Sequence, residues 1–233
     1  MVAFNFTNAF ISEIAKYALR GATPPPTSRL RGCLANTAVL TVSSTLESFL
    51  AAELIPGNGY SRQQVAIPSD GAFNITNKRH EMPTISPSWT ASGGALQFQT
   101  VFLMADGDAT ASSIVSSVNT STDTLTINAH GYSNGQKLTF SADSGGSLPT
   151  GITAATIYQV TNVATNTFQL QPNGGGSTID ITGAGSGTIR ARSANGVIIA
   201  YGVDSNPVTL ADGQPYTPVI NLIFANAGYI SGV

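Results

Sequence analysis

Charge is what this 233-residue chain has least of: Asp, Glu, Lys and Arg make up 9% of it, against about 25% in an ordinary soluble domain. Low charge combined with 42% hydrophobic residues excludes an intrinsically disordered chain, which needs the reverse combination. The ten basic residues are scattered, with Arg29/Arg31 and Lys78/Arg79/His80 close together, and the formal net charge is −2. A nucleic-acid partner needs a concentrated basic face, so none is expected. The single cysteine, Cys33, excludes an intrachain disulfide and a cysteine-based zinc site within one chain, and reads as a small buried thiol. No apolar run approaches the ~20 residues of a membrane-spanning helix, so no membrane partner is expected. The first residues have neither the basic start nor the apolar core of a secretory signal, which points to a product made in a cytoplasm and not exported.

Chemistry-bearing patterns are equally sparse. His80 lies in the polar run Lys78-Arg79-His80-Glu81 and His130 in Ala-His-Gly-Tyr at a strand end; neither has a second histidine at the spacing a metal-binding helix requires. The match to a nucleophile elbow, Gly183-Ala184-Gly185-Ser186-Gly187, is a glycine-rich turn without the strand-to-helix context that exposes a reactive serine. For a paired-carboxylate hydrolase the candidates are Asp106 with Asp108, Asp70, Glu81 and Asp204. Asp106 and Asp108 flank Gly107 in what reads as a solvated linker. The same segment suits Ca²⁺ better than catalysis, yet no Glu follows at the twelfth position of an EF-hand loop. The expectation is a non-enzymatic protein without catalytic residues, metal or cofactor.

What is present is Gly, Ser and Thr in abundance, twelve prolines and short apolar runs. Residues 8–20 set Phe10, Ile14 and Tyr17 at helical spacing, with Gly21 as a stop, which predicts an amphipathic N-terminal helix. Pro24, Pro25 and Pro26 then force an extended stretch, because proline fixes φ and lacks an N–H. Strands are predicted over 34–40 with 38–42, over 60–65, 84–89, 96–104, 196–201 and 216–224, and a short helix over 45–54 with Leu46, Phe49 and Leu50 on one face. Between 106 and 193 the composition shifts to Thr, Ser, Gly and Asn, and turns recur at Gly131 to Gly135, Ser144 to Ser147, Ala164 to Asn166 and Gly174 to Gly176. That pattern reads as an inserted small all-β module, 112–192, at the tip of a hairpin. The fold class expected is mainly β: a β-sandwich body, residues 1–108 plus 194–233, with an N-terminal helix and the inserted module.

Leu125-Thr126-Ile127-Asn128-Ala129-His130-Gly131-Tyr132-Ser133-Asn134-Gly135-Gln136-Lys137-Leu138-Thr139-Phe140 resembles a recurring module of tailed-bacteriophage structural proteins. Leu148-Pro149-Thr150-Gly151-Ile152, Ile157-Tyr158-Gln159-Val160, Asn166-Thr167-Phe168-Gln169-Leu170 and Gly183 to Thr188 follow in that module's order. The flanking Gly57 to Gln63, Ser88-Trp89-Thr90-Ala91, Val101-Phe102-Leu103-Met104 and Pro207 to Gly213 resemble phage β-sandwich proteins of the tail-fibre, decoration and minor structural kinds. Many such bodies run straight through where this chain carries its insertion.

The resemblance implies a virion component, assembled in the host cytoplasm, that works through contacts. The leading expectation is a capsid decoration or cement protein bridging capsid subunits, with the major capsid protein as partner and a homo-oligomer, a trimer favoured, as its form. The candidate interface is Phe4, Phe6, Phe10, Ile14, Tyr17, Pro24, Pro25, Pro26, Tyr229 and Ile230, the last two from an uncharged apolar tail. The alternative is a tail-fibre, collar or adsorption component that binds another tail protein or a host glycan. The module's aromatics Tyr132, Phe140, Tyr158 and Phe168 sit at positions that read as core, which leaves a sugar little to stack on.

Overall fold

The computed structural model describes residues 4–24, 26–67, 69–77, 79–108 and 112–225. In chain order the elements are β1 (Asn5–Phe6), α1 (Asn8–Arg20), β2 (Leu30–Ala35), α2 (Leu46–Ala52), β3 (Gln63–Gln64), β4 (Ala72–Asn74), β5 (Arg79–Glu81), β6 (Trp89–Thr90) and β7 (Leu96–Asp106). Then follow β8 (Ser112–Val115), β9 (Ser117–Asn119), β10 (Thr124–Thr126), β11 (Lys137–Ala142), β12 (Tyr158–Thr161), β13 (Thr167–Pro172) and β14 (Ile189–Ser193). The last three are β15 (Gly196–Leu210), β16 (Pro215–Tyr216) and β17 (Ile223–Ala225). The chain is mainly β, with a sandwich-like body, an N-terminal helix and an inserted all-β module.

The helix α1 is fixed at both ends. Thr7 Oγ1 accepts from Phe10 N at 3.1 Å, satisfying an N-terminal donor, and Gly21 closes the helix at φ 67°, a left-handed conformation that glycine adopts without strain. Thr7 is itself buried and donates its hydroxyl to the Ile198 carbonyl, so the same residue that starts the helix pins it to β15.

The body is organised by one long antiparallel pair. β7 and β15 run together from Leu96↔Leu210 to Asp106↔Gly196, with irregularities between Ile198 and Ala200 and between Val203 and Val208. They are the centre of a five-stranded sheet in the order β1-β15-β7-β2-β3. Successive side chains on a strand point to opposite faces, and both faces of this sheet are covered. Leu34, Val101, Leu103 and Ala105 join Trp89, Phe98, Ile85 and Ile220 in one core. Their neighbours Cys33, Phe102 and Met104 join Phe49 of α2 and Tyr201 in a second core on the other side. Burial on both faces is why this stretch of β7 reads as an unbroken apolar run and not as an alternation.

The chain leaves this hairpin at Asp106 and returns at Gly196, which are paired with each other. Gly196 has φ +129°, and a side chain there would meet the Ala105 carbonyl oxygen at 2.2 Å, so glycine is required where the chain re-enters. Between these points the strands pair in the order β8-β14-β11-β12-β13-β10-β9. Only Ser116 separates β8 from β9, so the order closes into a ring in which one kinked strand supplies both ends. Leu125, Leu138, Phe140, Val160, Phe168 and Leu170, all fully buried, fill it. A ring closed everywhere but at the outer edge of β8 has few free edges, which suits a sequence with little charge to guard them.

Several sequence expectations need correction. The strand expected over 34–42 is β2, which ends at Ala35; residues 38–42 form a loop in which Val39 is 80% exposed. β-branched content alone raised that expectation, and among the described residues no neighbouring strand pairs with it. Residues 60–65 supply only the two-residue β3, residues 84–89 an isolated Ile85↔Ile220 bridge before β6, and residues 216–224 are split between β16, that bridge and β17. β15, expected to end at Tyr201, continues to Leu210.

Candidate functional site

The densest chemistry of the molecule lies where the module meets the body. Glu53 follows α2 and is held by the turn back to β2, with Leu54 N donating to Leu34 O at 2.9 Å. Tyr60 and Arg62 precede β3, Asp106 ends β7, and Arg192 and Ser193 end β14. The Arg62 guanidinium grips Glu53 with two bonds, Nε to Oε1 at 2.8 Å and Nη2 to Oε2 at 2.7 Å. Its Nη1 reaches across to the Ser193 carbonyl at 2.9 Å and to Asp106 Oδ2 at 3.4 Å. Tyr60 donates to Glu53 Oε1 at 2.7 Å. From the module side, Arg192 Nη1 donates to the Leu54 carbonyl at 3.0 Å and lies 3.3 Å from Glu53 Oε2. The Glu53 and Asp106 side chains are 0% exposed and those of both arginines 3%.

A second tier sits beside it. Ser193 Oγ is 2.5 Å from Asp106 Oδ1 and 2.6 Å from Asp108 Oδ2. Asn195 Nδ2 donates to Asp108 Oδ2 at 2.7 Å, and Arg29 Nη1 to the Gly107 carbonyl at 2.5 Å. A hydroxyl has one hydrogen, so Ser193 donates to one of these two carboxylates at a time. Burial pushes the Asp106 carboxyl above its usual range, over the opposing pull of Arg62 and of the Ser193 hydrogen bond. Glu53 behaves in the opposite way. Burial alone would raise it, but Arg62, Arg192 and the Tyr60 hydroxyl outweigh that and hold it below the usual carboxylate range. Burial and the adjacent Glu53 push the Tyr60 hydroxyl well up.

This arrangement joins two bodies. The cost of burying two charges largely offsets their attraction, so the pairs add modestly to net stability; but removing one partner strands the others without water. The bidentate Arg62–Glu53 pair lies within the body and fixes the orientation of both groups; the bonds that cross are those of Arg62 to the Ser193 carbonyl and of Arg192 to Glu53 and the Leu54 carbonyl. Leu50, Ile157 and Ala194 add an apolar contact between α2 and the module.

The linker reading of Asp106 and Asp108 is overturned. Asp106 is buried at the end of a strand, and both carboxylates share Ser193. Glu53 and Arg62 stand nine residues apart and Arg192 lies far beyond both in the sequence, so no motif marks the three; their one signal is charge beside apolar runs in a chain that has little of it. His80 Nε2 contacts the Asp70 carbonyl at 2.6 Å. His130 Nδ1 accepts from Tyr132 N at 2.9 Å, and its ring packs on Tyr132 and Phe168. Among the described residues no three His, Cys, Asp or Glu side chains gather as a metal would require.

Of the expected interface residues, Phe4, Phe6 and Phe10 are half-buried against the body core, and Phe6 stacks between Phe10 and Phe224 with ring centroids 5.5 and 4.8 Å away. Ile14 and Tyr17 are half-buried on α1, while Pro24 and Pro26 are exposed. Pro25, Tyr229 and Ile230 lie outside the described residues. Tyr132, Phe140, Tyr158 and Phe168 are all buried in the module. Comparison with family models, with curated proteins and with solved structures gives no match.

Proposed function

We propose that this chain is a non-enzymatic structural component of a tailed-phage particle, acting as a decoration or cement protein that bridges capsid subunits. The observation that carries the reading is the buried Glu53–Arg62–Arg192 joint, which holds a weakly charged module at a fixed angle on the body. A bridge works by contact area held in place; a joint whose side chains are all but inaccessible resists the bending that would let contacts slip. The faces offered outward are neutral, built from hydroxyl and amide groups, and suit static interfaces more than steered encounters.

The N-terminal region offers the contact between copies. α1 is amphipathic, yet none of its residues is fully buried, and Ile11 and Leu19 are 56% and 82% exposed. Asn8 N donates to the Val42 carbonyl at 2.9 Å, so the helix start adjoins the loop that exposes Val39 and Val42. In a closed homo-oligomer, a trimer in this reading, these side chains would be covered by a neighbour.

A second reading, a tail-fibre, collar or adsorption component, is favoured only by an open cleft of about 590 Å³ beside the joint. Cryo-electron microscopy of intact particles separates the two. Hundreds of copies spanning capsomers support the cement role; a few copies at the tail or collar support the second; absence of the chain from purified particles rejects both.

A further inference from the structure

The ring of the module is open at one place. β8 pairs with β14 through Ser112↔Arg192 to Val115↔Ile189, and among the described residues its other edge carries no strand. The neighbour it would meet by continuing the ring is the extension of β10. Pairing there stops at Ser116, whose N–H donates to Thr126 O at 2.8 Å; Ile127 N turns away to Asn166 O at 2.9 Å. The cleft of about 590 Å³ lies where β8 parts from Ile127 and Asn128. A gap flanked by a strand edge is the geometry that accepts an added strand, with main-chain bonds supplying affinity and alternate side chains specificity.

The chemistry of the walls defines the occupant. Ile114 is the Cα partner of Arg190, and Ser112 that of Arg192, so these four share the face opposite the core residues Val115, Ile189 and Ala191. Ile114 is 53% exposed, an apolar contact left open on a strand. Arg62, Arg190 and Arg192 line the cleft and no acidic side chain does; Arg62 and Arg192 are 3% exposed and bound to Glu53, so Arg190, 25% exposed, is the cation that an occupant reaches. The Arg192 Nε, although buried, has no hydrogen-bond partner. No aromatic residue lines the cleft, so a sugar ring finds no stacking face.

We propose that this cleft receives an extended acidic segment of a partner protein, added as a strand along β8, with an apolar side chain on Ile114 and a carboxylate toward Arg190. The site belongs to the single chain and does not rest on the particle reading, so either stands if the other fails.

The test is selection of a displayed library of random ten-residue peptides on the full-length protein, followed by synthesis of the enriched sequences. The expected binders alternate apolar residues with Asp or Glu and slow amide exchange at Ser112 to Val115. Replacing their acids by Asn or Gln weakens binding tenfold or more. So does Ser112→Glu, or Ser61→Glu on the opposite wall; both positions are exposed, so the melting temperature should not change. Three results overturn the proposal: no enrichment over the same selection against the Ser112→Glu protein; enriched peptides whose protection lies elsewhere; or peptides failing while an oligosaccharide of uronic acids binds in a manner that Ser112→Glu abolishes.

Discussion

The module closes its strands into a ring around one core, whereas the body lays a five-stranded sheet between two cores and covers it with short, irregular strands. Both are built from a nearly uncharged sequence, yet five ionisable side chains, Glu53, Arg62, Asp106, Asp108 and Arg192, meet where the two adjoin. Apolar burial is non-directional and packs either body well, but it does not fix the angle between them. Directed bonds from the Arg62 and Arg192 guanidinium groups across the boundary do, and the joint is where this chain places them.

The largest effect is expected from Glu53→Ala, which leaves Arg62, Arg192 and Tyr60 buried without their acceptor and costs about 3–5 kcal/mol. It should also separate two transitions. The only tryptophan, Trp89, is buried in the body core, so its fluorescence reports the body alone, while circular dichroism reports both. Coincident melting by the two probes in this variant would contradict the role given to the joint. Phe168→Ala attacks the module from inside, at a cost of about 3–5 kcal/mol for an emptied aromatic site. The expected result is loss of module structure at a temperature where Trp89 remains folded; simultaneous loss would mean that the body needs the module.

Acidity distinguishes the two tiers of the joint. Glu53, held low, contributes stability above its unfolded pKa that is lost as pH falls through its folded value. Asp106, pushed up, contributes stability below its unfolded pKa that is lost as pH rises through its folded value. Because unfolded carboxyls titrate at about pH 4, the joint should be firmest near there, with losses on both sides. Asp106→Asn should flatten the higher-pH limb in a melting-temperature series and leave the acid limb; Glu53→Gln should do the reverse.

Smaller effects sharpen the contrast between joint and surface. Thr7→Ala removes the cap of α1 and should cost about 1 kcal/mol, seen as faster amide exchange in the first helical turn. Asp143→Ala breaks the Arg190 pair, whose side chains are 25% and 30% exposed, and should cost less than about 1 kcal/mol in chemical denaturation because water replaces the lost partner.

Much of the architecture is legible in the sequence because it is local. Thr7 and Gly21 bracket α1, and the glycine-rich turns divide the module into strands. The aromatic positions Tyr132, Phe140, Tyr158 and Phe168 mark the ring's core, and Trp89 the body's. The joint was not legible, because Arg192 lies far along the chain from Glu53 and Arg62 and Asp106-Gly107-Asp108 has the composition of a solvated turn. Val39 and Val42 misled for the complementary reason: strand propensity has no effect where no partner strand adjoins. The closing of the ring through the kink at Ser116 depends on which strands pair, and no residue pattern in β8 or β9 announces it.

Residual dipolar couplings of the isolated protein test the rigid joint most directly. The account requires one alignment tensor to fit amides of β7 and β15 together with those of β11 to β14. Separate tensors, with the module's smaller in magnitude, would show that it swings on the body and would contradict the lock formed by Glu53, Arg62 and Arg192.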